Sequence, residues 1–178
     1  MIRRRWLVVL LVLALVPAGL PAGRRDPLNE LEIEQIREAA QDPPKRLKLM
    51  LKFTRDRMAL VDAHRSTPAS AEDYGRRMHD LLEDFGTLAG ELELNVETYS
   101  RRGVDVRKPL RDILQSWNEF QAKLRSLKDD AEKNPALAKP FAAYKFIIED
   151  ALDTVDSGIE TTIEAINLQE LARKARKK

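Results

Sequence analysis

VRKPLRDILQSWNEFQAKLRSLKDDA, residues 106–131, places an apolar side chain at Val106, Leu110, Ile113, Trp117, Phe120, Leu124, Leu127 and Ala131, in steps of four and three throughout. On a helix of about 3.6 residues per turn, that spacing keeps one apolar stripe on one face. A half-buried strand would alternate with a step of two, and no such alternation is sustained here. The stretch therefore reads as a helix, and its stripe requires a neighbour to cover it.

Two more segments carry the same rhythm. Tyr74, Met78, Leu81, Phe85, Leu88, Leu92, Val96 and Tyr99 make one stripe, and Phe141, Tyr144, Ile148, Leu152, Val155, Ile159, Ile163 and Ile166 make another. Between Pro43 and His64 the apolar arc is wider, with Leu47, Met50, Leu51, Phe53, Met58, Leu60 and Val61, so that helix is expected to touch two partners. Breaks are marked by Pro43-Pro44, Pro68, Pro109, Pro135 and Pro140. A short helix precedes these. Asn29 and Glu32 form a capping-box start, with Leu28 and Ile33 as a staple, and Asp42 is placed to cap the next helix with Pro43 at its first position. The fold class read from this pattern is all-α, an antiparallel bundle or coiled-coil-like assembly of four long helices plus one short N-terminal helix. Gly86 and Gly90, inside the third helix, are read as a bend or a close helix approach.

The first residues belong to a different category. Arg3, Arg4 and Arg5 precede an apolar run from Trp6 to Val16 that ends at Pro17, followed by small residues at Ala18 and Ala22. The run is shorter than the roughly 20 residues a membrane-crossing helix needs, and the layout is that of a secretory signal peptide. Residues 1–22 are read as that signal, cut after Ala22 in preference to Ala18, residues 23–172 as the helical domain, and residues 173–178 as a basic tail. Export to a periplasmic or extracellular space follows, with no transmembrane segment in the mature chain.

Charge changes with that reading. The whole chain is +2, but residues 1–22 hold three arginines and no acid, so the mature chain is −1. Setting aside Arg173, Lys174, Arg176, Lys177 and Lys178 leaves a body of −6, which disfavours nucleic acid as a partner. The chain has no cysteine, so disulfides, thiol catalysis, Cys-ligated zinc and c-type haem are excluded.

Charged side chains also fall in stripes. Lys45, Lys48, Lys52 and Arg55 occupy one sector of the second helix, either as a solvated face or as a site for phosphate or an anionic headgroup. Glu149, Asp153, Asp156, Glu160 and Glu164 line the last helix, and are open to solvent, a basic partner, the basic stripe of the second helix, or weak cation binding. Of the two histidines, His79 stands four residues before Glu83 on one helix face, a pair able to share a metal, and His64 sits near a helix C-terminus where a cation is favourable. Glu-x-x-His, His-Glu-x-x-His, Gly-x-Ser-x-Gly, Ser-x-x-Lys, phosphate-cradling Gly-rich loops and dinucleotide fingerprints are all missing, so neither an enzyme nor a cofactor is expected. The functional expectation is an exported, non-enzymatic bundle acting by contact with a protein or an envelope surface. Two alternatives accompany it: a metal- or small-ligand-binding bundle using His79 and Glu83 or the acidic stripe, and a holdase-like chaperone. Trp117 and Phe120 are read as core or as part of a binding surface.

Overall fold

The computed structural model describes residues 26–70 and 72–175. The signal expected at residues 1–22, and Arg176, Lys177 and Lys178 of the expected tail, lie outside the described residues. Among the described residues the chain forms five α-helices and one 3-10 turn: α1 (Glu30–Glu38), α2 (Pro43–Arg65), α3 (Tyr74–Arg101), α4 (Arg107–Lys133), the turn Pro135–Leu137, and α5 (Ala138–Ala175). The all-α bundle expected from the periodicity is thus the fold, with α1 as the short additional helix.

Local signals set most boundaries. Asn29 and Glu32 form the capping box of α1, each side chain bonded to the other residue's backbone N–H at 2.9 Å. The Asp42 carboxylate accepts from Lys45 N (3.0 Å) at the start of α2, with Pro43 in the first turn where its missing N–H has no intrahelical role. α3 ends in a Schellman motif: Gly103 takes φ 68°, its N–H donates to Ser100 O (3.0 Å), and Val104 N donates to Tyr99 O (3.0 Å). Pro109 and Pro140, expected as breaks, instead lie in the first turns of α4 and α5, the one place where a helix accommodates proline without losing a hydrogen bond.

Consecutive helices alternate in direction, as expected, but chain order does not set the neighbours. α2 packs on α3, α3 on α5, α5 on α4 and α4 on α2, so the α3–α4 connection crosses the diagonal of the bundle. Two of the four lateral interfaces are consequently parallel. Along α2 and α4, Arg55 Nε bonds Ser116 Oγ (3.0 Å), Lys123 Nζ meets Asp62 (2.6 Å), and Arg65 bonds Ser126 (2.9 Å) and pairs with Asp130. Along α3 and α5, Gly75 abuts Pro140, and Glu93 accepts from Ser157 Oγ (2.5 Å) and Thr161 Oγ1 (3.0 Å).

The stripe of α4 is buried as read: Leu110, Ile113, Trp117, Phe120, Leu124, Leu127 and Ala131 are all in the core, which assigns Trp117 and Phe120 to the core and not to a surface. The stripe of α5 departs from its expectation beyond Val155. Gly158, Thr162, Ala165 and Gln169 are the buried residues there, while Ile159 and Ile166 are only partly covered and Ile163 is exposed. The cause is Trp117. Its ring lies against the backbone of Gly158, where a Cβ would come within 2.7 Å of it, and its Nε1–H donates to Thr162 Oγ1 (3.0 Å). A large fixed ring is accommodated by small and hydroxyl-bearing partners, not by a row of isoleucines. Gly86 and Gly90 have no close neighbours, with nothing nearer than 4.0 Å to a Cβ at either, and α3 runs through both without interruption; the close approaches are at Gly75 and Gly158 instead.

Candidate functional site

The parallel pairing of α2 and α4 has an electrostatic result. It sets the two helix N-termini side by side, and neither has an acid in its first turn. Lys45 and Lys48 of α2, Arg107, Lys108 and Arg111 of α4, and Arg173 from the end of α5 line one open cavity of about 920 Å³, with Asp42 and Asp105 as its only carboxylates. Both acids are engaged in local bonds. Asp42 caps α2, and Asp105 accepts from Arg107 Nε (2.8 Å) and Nη2 (2.5 Å). Among the described residues, Lys45, Lys48, Lys108, Arg111 and Arg173 have no ion-pair partner, and all five are exposed. The C-termini of α3 and α5 reach the same end, so the helix dipoles largely offset one another and the positive field comes from the side chains. The N-cap of α4, Val106, has no side-chain acceptor, and Asp105 Oδ1 accepts from Arg107 N at 3.3 Å instead. Such a mouth favours an anion held by several charge-assisted hydrogen bonds.

Of the residues singled out in the sequence, Lys45, Lys48 and Arg173 belong to this mouth. Lys174 follows on the exposed last turn of α5, and Lys52 and Arg55 lie further along α2, tied to Asp56 (3.1 Å) and Ser116. Arg107, Lys108 and Arg111 were not singled out. The signal was available: a helix start of Arg107-Lys108 with no acid runs against the usual first-turn preference.

The acidic stripe has a different role. Glu149 pairs with Lys128 Nζ (2.9 Å), and Asp156 accepts from Gln121 (2.5 Å) with Arg125 at 3.9 Å, so these two residues of the stripe form a seam with α4. The Lys128 hydrogen bond holds the Glu149 carboxyl below its usual range. The stripe does not meet the basic stripe of α2, because α2 and α5 sit on the diagonal. Asp153 adds its charge to the Lys128 environment, and Glu160 and Glu164 remain exposed.

His79 and Glu83 lie on α3, half-buried, with His79 Nδ1 at 3.7 Å from Asp80 Oδ1. Among the described residues no group of three or more His, Asp or Glu side chains converges as a metal site would require. His64 stacks on Tyr74, ring centroids 4.8 Å apart, and its Nε2 lies 3.0 Å from the Tyr74 carbonyl oxygen, so that nitrogen donates and closes the α2–α3 corner. At the other edge of the molecule, Arg57 fastens α1: it donates to Pro27 O (2.9 and 2.7 Å) and pairs with Glu32, both side chains 12 % exposed. Burial pushes the Glu32 carboxyl up, but the Arg57 hydrogen bond, the Asn29 N–H and the charges of Arg57 and Lys52 outweigh it, and the net is downward.

No helix among the described residues is long and apolar enough to cross a membrane. No protein-family model matches the chain, and comparison with curated proteins and with solved structures finds no match either.

Proposed function

We propose that this protein is an exported, non-enzymatic helical bundle that acts by contact, presenting its basic end to an anionic surface of the cell envelope. One observation carries the reading: six cationic side chains from α2, α4 and α5 share one mouth whose two carboxylates are already engaged. A body that is acidic as a whole has no use for that concentration in its own fold, since like charges side by side destabilise it. An anionic partner reverses the sign of the interaction. The export component rests on the Arg3–Arg5 cluster, the short apolar run and the small residues at Ala18 and Ala22.

The test uses fluorescein-labelled polyphosphate as the probe. The native protein is expected to bind it with an affinity that falls as salt rises, and Lys45→Glu/Lys108→Glu/Arg111→Glu is expected to abolish binding while leaving the helical circular dichroism intact. Binding unaffected by that triple variant refutes the site. Cell fractionation with N-terminal sequencing tests the export component, which a chain retained in the cytosol and beginning at Met1 refutes.

A further inference from the structure

The basic end carries more than charge. α5 reaches the α3–α4 loop at Gln169, whose Nε2 donates to Val104 O (2.6 Å), and then continues to Ala175. Leu168 and Leu171 stand about one turn apart in this stretch, 44 % and 63 % exposed, followed after Ala172 by Arg173 and Lys174. Isolated surface leucines are ordinary, but Leu168 lines a cavity beside the cationic mouth and Leu171 continues the apolar surface one turn further toward the end of α5.

A second cavity, of about 230 Å³, opens beside the first and shares Asp105, Arg107 and Arg173 with it; Leu168 and Ser100 are among the rest of its wall. Ser100 is 91 % buried (9 % exposed), and its Oγ has no hydrogen-bond partner. A buried hydroxyl without a partner is uncommon in a folded protein, and this one is closed off from solvent. The end of the bundle thus offers guanidinium groups and an apolar edge around one recess, with the Asp105 carboxylate already bonded to Arg107 and the Ser100 hydroxyl enclosed behind it. The guanidinium groups and the apolar edge are complements to the phosphate and the first methylenes of a phospholipid.

Building on the reading of the basic end as an anion site, we infer that its partner is a lipid bilayer containing anionic phospholipid. Arg173, which has no ion-pair partner among the described residues, holds headgroup phosphate beside the Asp105–Arg107 pair, and Leu168 and Leu171 enter the interfacial layer. A free phosphate or a soluble polyanion would serve the cations and leave both leucines in water; a bilayer covers both at once.

The absence of cysteine makes the test direct, because Leu171→Cys and Phe146→Cys each give one labelling position. Phe146 is 73 % exposed, in the half of α5 remote from the basic end. The mature protein, without residues 1–22 and carrying an environment-sensitive nitrobenzoxadiazole label at one position, is mixed with phosphatidylcholine vesicles with and without phosphatidylglycerol. Label at 171 is expected to brighten and shift to the blue only with phosphatidylglycerol, and label at 146 to stay unchanged with both. Leu168→Ser/Leu171→Ser is expected to weaken vesicle binding about tenfold or more and leave polyphosphate affinity unchanged. If that double variant binds vesicles as the native protein does, or the 171 label stays in water while the protein sediments with the vesicles, the bilayer inference falls and the anion reading stands. Inorganic phosphate that saturates the protein, with vesicles adding nothing to its affinity, assigns the site to the free ion and overturns the inference. Polyphosphate and vesicle binding both retained by Lys45→Glu/Lys108→Glu/Arg111→Glu bring down the underlying reading itself.

Discussion

Gly158→Ala and Gly86→Ala are the same chemical change inside two helices of one bundle, and they are predicted to have opposite signs. In a helix interior, replacing glycine by alanine stabilises by about 1 kcal/mol from propensity alone. At Gly86 nothing lies within 4 Å of the new methyl group, so that gain is expected almost undiminished. At Gly158 the methyl carbon would stand 2.7 Å from Trp117 Cε2 and 2.8 Å from Cζ2. The ring has nowhere to go: it is fully buried, meets Phe120 edge-on at 5.9 Å, and is tethered to Thr162. Overpacking of this kind costs about 1–3 kcal/mol, and dislodging the indole from Thr162 costs about 1 more. Set against the propensity gain, the net is a loss of about 1–3 kcal/mol, and the two variants should differ by about 2–4 kcal/mol. Urea unfolding followed by circular dichroism measures both, with the slope expected to stay constant so that midpoints report stability. A Gly158→Ala midpoint at or above that of Gly86→Ala would refute the proposition that Trp117 sets the α4–α5 distance.

Other substitutions separate the structural features further. Arg57→Ala leaves Glu32 and Pro27 O without their partner and is expected to cost about 2–4 kcal/mol, read as faster amide exchange in α1 while α3 to α5 stay protected. Because the folded Glu32 carboxyl lies below its ordinary value, its contribution is present above the usual carboxylate range and is lost as pH falls through the folded value. Protection of α1 should therefore drop on acidification below roughly pH 4, and Glu32→Gln should remove that dependence; an identical acid profile in the variant refutes the assignment. Tyr144 has the reverse prospect. Its hydroxyl is buried without a partner, and burial first, with Tyr74 adding to it, pushes its pKa up to about 12, so Tyr144→Phe is expected to be neutral or to stabilise by about 1 kcal/mol. Thr162→Val, which strips the Trp117 N–H of its acceptor, should destabilise by about 1–2 kcal/mol in the same unfolding assay.

The existence of the helices, the caps at Asn29 and Asp42 and the burial of the α4 stripe were legible because they depend on residues within a few positions of one another. Periodicity and side-chain hydrogen bonds to nearby N–H groups are local physics, and the chain carries them in plain order. Half of the site was legible on the same terms, as Lys45, Lys48 and Arg173 each belong to a local basic cluster. Arg107, Lys108 and Arg111 join them only because α4 lies parallel beside α2, a pairing between segments far apart in the chain.

By itself, then, the sequence determined an all-α chain without disulfides and the stripes that had to be covered. Which stripe covers which was decided only in three dimensions. Apolar faces in four-and-three steps are nearly interchangeable as partners, because burial is non-directional and rewards any neighbour of sufficient area. The choice fell to shape and to a few directional bonds: Trp117 against Gly158 and Thr162, Pro140 against Gly75, Arg55 on Ser116, Lys128 on Glu149. These put α3 and α4 on the diagonal, set Glu149 and Asp156 of the acidic stripe against α4, and brought two helix starts together to make the basic mouth.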